Sequence, residues 1–309
     1  MKKALVMGAG GQDGSLLAEE LAASGREVLG LGRGAAFPHD PPRGNFRYAR
    51  LDLRDTPALA GCLRDYQPDE IYHVAAVHGS AGFSYEEVWA EALEVNVKSL
   101  HTALEYARGC RPAARIFYAS SAKVFGGTLR GTITADTPRQ GNCLYAITKK
   151  AAGGLADHYR RQHGLAVSVG ILFNHESTRR PPGFFIPRIC GIVRGALADP
   201  SHRAKVQTLA FHCDWSSARD FMRLAIAAVE KPVAGELLFA SGVTWMGREF
   251  ARELFARYGL DYSRHIEAGE DDAGEPFQVD LAATRCALAL APQEDIFDVC
   301  AALIGRSWN

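Results

Sequence analysis

The 309 residues are 47% hydrophobic and 23% charged, with 35 Lys and Arg set against 35 Asp and Glu. That balance excludes a global field for nucleic acid or a membrane surface, so any anion site must be local, and the length suffices for one large or two small cores. Seven cysteines without a Cys-x-x-Cys pair argue against a disulfide framework and for scattered, reduced thiols.

Two lysines precede a short apolar run that glycines break at once, which predicts a first strand at residues 3–8 rather than a signal peptide. No apolar stretch approaches the roughly 20 residues of a membrane span, so a cytoplasmic protein is expected. Further strands are predicted at 27–31, 46–51, 70–75, 115–119 and 166–172, with helices at 12–24, 57–66, 85–108 and 144–163 between them. This alternation implies βαβ units and an α/β fold with a Rossmann-type, doubly wound parallel sheet. Beyond Phe173 the pattern loosens. A Pro181-Pro182-Gly183 loop precedes a helix at 184–196, and a strand at 206–210, a helix at 216–230 and a strand at 237–240 are expected to return to the first sheet. The rest is short mixed α and β, a smaller lobe.

Gly8-x-x-Gly11-x-x-Gly14 closes the first strand and opens the first helix. Glycines there permit a tight turn and close approach of backbone to a pyrophosphate, and the helix start offers free N–H groups at a positive dipole end. Gly8, Gly11, Gln12, Asp13 and Gly14 are therefore candidate dinucleotide contacts. The second strand ends in Leu31-Gly32-Arg33-Gly34 without an acidic residue to hold a ribose 2′-hydroxyl. An arginine suits a 2′-phosphate, so NADP is expected, with NAD the other candidate; the bland reading of Arg33 is a solvated surface residue. Asp52, followed by Leu53, ends the third strand, where it caps its loop or touches the adenine. Ala75 and Ala76 close the fourth with small side chains that leave a cofactor room.

Tyr145 and Lys149 stand four residues apart, and Ser121 precedes Tyr145 by 24 residues. Positions i and i+4 share a helix face, where a lysine charge favours ionisation of a tyrosine whose ordinary pKa is about 10. That makes Tyr145 a candidate general base, with the Ser121 hydroxyl holding the reacting oxygen. Residues 1–173 with 206–240 then read as a dinucleotide-binding domain and 174–205 with 241–309 as a substrate lobe. The histidines lack metal-ligand spacing, and no metal is expected. Asn96 reads as a buried amide joining helix to strand.

These residues resemble the extended short-chain dehydrogenase/reductases, and most closely the GDP-mannose 4,6-dehydratase group. Gly11-Gln12-Asp13-Gly14 is similar to that group's glycine turn. The run Gly170 to Ser177, followed by Arg179-Arg180, is similar to its substrate loop, and Asp214-Trp215 through Asp220 to another of its stretches. The resemblance implies catalysis by Ser121, Tyr145 and Lys149, with Tyr145 and Lys149 also meeting the dinucleotide. It implies substrate contacts from Lys123, Asn174, Glu176, Arg179, Arg180, Arg188 and Arg219. It also implies a homodimer paired through the helices at 85–108 and 144–163.

Three departures shape the expected activity. Lys123 stands where the dehydratases carry a glutamate that assists loss of water across carbons 5 and 6, unless it is a surface residue that never meets substrate. A lysine in its ordinary range cannot serve as that base, and the surrounding loop is more like that of UDP-galactose 4-epimerases. Cys213 and Glu275 stand where phosphate-binding arginines would be. Hydride transfer at carbon 4 of a nucleotide-linked sugar, as a 4-epimerase or 4-keto-sugar reductase, is therefore expected first. A GDP-mannose-type 4,6-dehydratase is the alternative, and a non-catalytic NADP-binding protein is the reading from a different class.

Overall fold

The computed structural model describes residues 1–79, 82–127, 129–231, 233, 235–269 and 272–305. In chain order the first half runs β1 (Lys3–Met7), α1 (Gln12–Ala23), β2 (Glu27–Gly32), β3 (Phe46–Arg50), α2 (Thr56–Tyr66), β4 (Glu70–His73), α3 (Trp89–Leu93), α4 (Ser99–Cys110) and β5 (Arg115–Ser121). It continues with β6 (Gly131–Ile133), α5 (Leu144–His163), β7 (Ala166–Leu172), β8 (Asn174–Glu176), α6 (Phe185–Ala198), β9 (Ala204–Thr208), β10 (His212–Ser217) and α7 (Ala218–Glu230). The last elements are β11 (Gly235–Phe239), β12 (Thr244–Met246), α8 (Gly247–Ala256), β13 (Ile266–Gly269), β14 (Phe277–Val279), α9 (Ala282–Leu288) and α10 (Ile296–Ile304).

Seven strands form one parallel sheet in the order β11-β7-β5-β4-β1-β2-β3. Its central strands are buried on both faces, which is why they read as continuous apolar runs rather than as alternating ones. One face packs against α2, α4 and α5 through Leu59, Leu63, Leu100, Leu104 and Ala152. The other packs against α1 and α7 through Leu17, Leu21, Phe221, Leu224 and Phe239. Each such leucine or phenylalanine contributes about 1.5–3 kcal/mol by leaving water. The helix ends follow local chemistry: Asp55 accepts from the Ala58 N–H at 3.0 Å with Pro57 in the first turn of α2, and Gly164 takes φ 67° to end α5.

Two expectations need correction. The helix foreseen from residue 85 begins at Trp89, and a π-helical turn, Glu94–Lys98, joins α3 to α4. That turn carries Asn96, whose Oδ1 accepts from the Val77 N–H at 3.0 Å and whose Nδ2 donates to Thr148 Oγ1 at 2.9 Å. The amide thus joins the helix to the segment that follows β4, rather than to the strand itself, and also to α5. The strand foreseen near 206–210 does not return to the large sheet. It is β9, which pairs with β13 and buries Val206 and Leu209 in a separate core with α6, α8 and α10. Of the segment assigned with 206–240 to the first domain, α7 and β11 pack on the large sheet. β10 instead pairs with β8 and β12. No helix among the described residues is long and apolar enough to cross a membrane.

Candidate active site

The turn after β1 brings backbone close to backbone. Gly8 has φ 95°, and a Cβ there would lie 2.7 Å from Ala75 Cα; a Cβ on Gly14 would lie 2.7 Å from Ala9 Cα. Neither position accepts a side chain without moving main chain. α1 starts at Gly11 without a side-chain cap, so its first N–H groups remain available to an anion. This cradle, walled by the small Ala75, fits a dinucleotide pyrophosphate. The turn is also tied to the strand that follows β7: Gln12 Nε2 donates to the His175 carbonyl at 3.3 Å, and Ser177 Oγ donates to Gln12 Oε1 at 2.9 Å.

Arg33 extends from the end of β2 and pairs with Glu91 at 2.6 Å, largely exposed. A pair of that kind is worth about 0–1 kcal/mol, so a phosphate can displace it. Asp52 caps its own loop, accepting from the Arg54 N–H at 3.0 Å and pairing with the Arg54 guanidinium. Leu53 is buried beneath it.

β5 and α5 bring the catalytic candidates together. Tyr145 and Lys149 lie on the buried face of α5, 6% and 2% exposed. Lys149 Nζ donates to the Ala119 carbonyl at 2.7 Å and lies 5.6 Å from the Tyr145 ring centroid. Ser121 ends β5, and its hydroxyl accepts from the Lys123 N–H at 3.3 Å. The expected depression of the tyrosine pKa is overridden. Burial, and then Tyr85, push the phenol up, and the hydrogen bond to Ser121 and the Arg180 charge only partly offset this. Burial also brings Lys149 down to about 7, because an ammonium removed from water loses its solvation.

A second set of charges lines the wall formed by β8. Strand alternation points His175 toward α1, where Nε2 lies 3.1 Å from both Asp13 oxygens and Nδ1 lies 2.7 Å from the Phe173 carbonyl. Burial alone would raise Asp13, but the charge and hydrogen bond of His175, with Gln12 and Arg180, outweigh it and hold the carboxyl at about 2. Burial opposes the charge on His175, and Asp13 outweighs that too, so the imidazole sits above its ordinary 6.5. The pair therefore stabilises the fold above the ordinary carboxylate range and below the pH at which His175 loses its proton, and the stability is lost outside that window. In a titration followed by NMR, His175 is expected to keep its proton above pH 6.5, and Asp13→Asn should bring it down; a wild-type midpoint below the ordinary value would refute the pairing.

Asn174 and Glu176 point the other way. Asn174 is exposed and Glu176 is buried at 2%. Burial raises the Glu176 carboxyl to about 7, against the pull of Arg180 and His175. Arg180 stacks over Phe184 at 3.6 Å and brings its Nε within 3.4 Å of Glu176 Oε2, out of hydrogen-bonding alignment. Arg180 also acts on Tyr145 and on His78, so it belongs to the centre of the site. Lys123 is exposed on the loop after β5, and its charge acts on both His78 and Cys213.

The structure does not bring every expected residue to this centre. Arg219, in the first turn of α7, faces α1 and pairs with Glu20 at 2.6 Å and Glu19 at 2.8 Å. Arg179 reaches the same Glu19. Both arginines join elements of the fold, because the turn into α7 and the loop after β8 both pack on the outer face of α1. Arg188 is exposed on α6 and donates to the Lys205 carbonyl at 2.5 Å. Cys213 is half-buried with its thiol pushed up by burial and by Asp214 and Glu176, and Glu275 is exposed. The sequence reading missed His78 and Tyr85, which lie directly against Tyr145. Their local signal was a position shortly after the small Ala75 and Ala76 that follow β4.

The profile of the GDP-mannose 4,6 dehydratase family matches residues 5–287. The chain belongs to that family. It is an enzyme of the extended short-chain dehydrogenase/reductase type. A GDP-mannose 4,6-dehydratase of Vibrio cholerae is 29% identical over 303 residues, covering 90% of this chain and 80% of the relative. Among solved structures, the dTDP-glucose 4,6-dehydratase DesIV of Streptomyces venezuelae with NAD and TYD bound aligns with a TM-score of 0.81 at 24% identity, over 98% of this chain and 96% of that one. RMD of Pseudomonas aeruginosa complexed with NADPH aligns with a TM-score of 0.80 at 20% identity, over 99% and 98%. At these identities the solved structures speak for the shared fold.

Proposed function

We propose that this family member is an NADP-dependent enzyme of nucleotide-sugar modification that transfers hydride at carbon 4 of the sugar, as a 4-epimerase or a 4-keto-sugar reductase. The observation that carries this reading is Tyr145, Lys149 and Ser121 gathered at the carboxyl ends of the strands, beside the glycine cradle. Gly8, Gly11 and Gly14 would hold the dinucleotide's pyrophosphate, with Ala75 and Ala76 giving it room and Lys149 beside it. When bound, the nicotinamide supplies the acceptor or donor of the carbon-4 hydride. Ser121 holds the sugar's O4, and Tyr145 takes or returns its proton. Lys149, fixed on the Ala119 carbonyl, keeps a positive charge or a mobile proton beneath the phenol. Asn174, Glu176 and Arg180 orient the sugar from the β8 side.

The second reading, a GDP-mannose-type 4,6-dehydratase, is favoured by the relatives' names, and Lys123 stands against it. A panel of nucleotide hexoses, with products read by mass and stereochemistry, separates the three outcomes. Unchanged mass with inverted carbon 4 selects the epimerase, a gain of two hydrogens from a 4-keto sugar the reductase, and loss of one water the dehydratase.

Cofactor choice follows from Arg33 and from a β2 that ends without an acid. NADPH is expected to bind tighter than NADH, and Arg33→Ala should weaken NADPH about tenfold, roughly 1.4 kcal/mol, while sparing NADH. A fluorescence titration of both dinucleotides checks this, and equal affinities in the wild type would remove the argument. A cytoplasmic homodimer belongs to the same proposal. The α4 and α5 surfaces, where Ile147 is 44% exposed, would form its contact.

A further inference from the structure

His78 stacks on the Tyr145 ring with centroids 4.6 Å apart and planes 27° apart. Tyr85 lies 5.6 Å from the same ring at 24°. His78 Nδ1 is 2.6 Å from the Tyr85 hydroxyl, and Phe184 closes another side at 5.9 Å. His78 nevertheless remains exposed to solvent. A ring with one nitrogen fixed by a hydroxyl and the other without a partner among the described residues is the arrangement of an acid–base group with its orienting partner. Packing against Tyr145, Tyr85 and Phe184, together with the charges of Arg180, Lys149, Lys123 and His175, favours the neutral ring; in the tautomer whose Nδ1–H donates to the Tyr85 hydroxyl, Nε2 keeps its lone pair.

The proposed chemistry gives such a group a task. Once carbon 4 is a ketone, the C–H bonds on its two flanking carbons become acidic, because the electron pair left behind can delocalise onto O4. The Tyr145 hydroxyl marks O4, and a ring lying face to face with that phenol reaches the carbons next to it.

Resting on the carbon-4 reading, we propose that His78 is a second catalytic acid–base residue, exchanging the proton on a carbon that flanks the 4-keto group. Nε2 takes the proton from carbon. The C–H electron pair forms a C=C bond, and the carbonyl π pair moves to O4. Ser121 and Tyr145 hold the resulting enolate, and the surrounding cations favour its charge. Return of the proton from His78 restores the ketone. No oxidant or reductant is consumed.

The test uses GDP-4-keto-6-deoxymannose with the 309-residue protein in D2O, without reduced dinucleotide, reading deuterium on the flanking carbons by NMR and mass. The wild type should incorporate deuterium well above the enzyme-free rate. His78→Phe keeps the ring stack and should lose about 10²-fold or more of that exchange. Tyr85→Phe, which removes only the orienting hydroxyl, should fall between. Absence of exchange in the wild type, or wild-type exchange in His78→Phe, would each overturn the assignment. Oxidation of NADPH by the same keto sugar is measured separately. Oxidation without deuterium exchange sinks the His78 proposal and leaves the carbon-4 reading standing, whereas neither oxidation nor exchange sinks both.

Discussion

Tyr145→Phe is expected to lower hydride transfer by about 10²–10⁴-fold, the usual contribution of a positioned acid–base group, while dinucleotide affinity stays near that of the wild type. The phenyl ring keeps the stack on His78 at 4.6 Å and its place in the buried face of α5. It loses only the hydroxyl that exchanges a proton with O4. The variant should therefore fold, bind and fail to turn over. Lys149→Ala should harm more than turnover. Its ammonium lies in a fully buried position and satisfies the Ala119 carbonyl, and an unsatisfied buried acceptor costs about 1–3 kcal/mol. Single-turnover absorbance of the nicotinamide, dinucleotide titration and thermal unfolding on the same samples separate these effects. Near-wild-type hydride transfer in Tyr145→Phe would refute the catalytic assignment.

The wild-type protein should eliminate water from GDP-mannose more slowly than an efficient dehydratase by about 10²–10⁴-fold. By resemblance to the dehydratase group, Lys123 stands at the position of an acid that would take a proton from carbon 5 and return one at carbon 6, and Cys213 and Glu275 stand at positions of phosphate-binding arginines. Exchange at His78 acts only on a carbon flanking the ketone, and it supplies no acid for the departing hydroxyl at carbon 6. Lys123→Glu restores a carboxylate in the loop whose charge acts on His78 and Cys213, and it should raise the rate of water loss. Mass spectrometry of products from both proteins decides the matter. A product one water lighter, formed by the wild type at ordinary enzymatic rates, would restore the dehydratase reading, and an unimproved Lys123→Glu would show that the loop lies off the reaction path.

Much of this was legible before any coordinates. The parallel sheet follows from short apolar runs alternating with helical patterns, because residue periodicity is a local property. The glycine turn is equally local: Gly14 leaves no room for a Cβ against Gly8 and Ala9, and the spacing of Gly8, Gly11 and Gly14 reports the turn. The i and i+4 relation places Tyr145 and Lys149 on one face wherever the helix docks. The fate of residues 204–208 was not legible, since a short strand with apolar residues fits either sheet. Its partner β13 begins 58 residues after the strand ends and carries no signal of the pairing. Arg219 was misread for the same reason. An arginine beside an Asp-Trp stretch looks like a ligand until α1 supplies Glu19 and Glu20.

The amino-acid sequence by itself determined the parallel sheet, the glycine turn and the pairing of Tyr145 with Lys149 on one helix face, because each rests on local periodicity or spacing. Only the tertiary structure decided the electrostatics of the centre. Burial raises the Tyr145 phenol and brings Lys149 down to about 7, Asp13 is held at about 2 against His175, and His78 and Tyr85 close over Tyr145. The physical reason is that solvation and charge pairing depend on distance in space, and these groups come from segments that lie far apart along the chain.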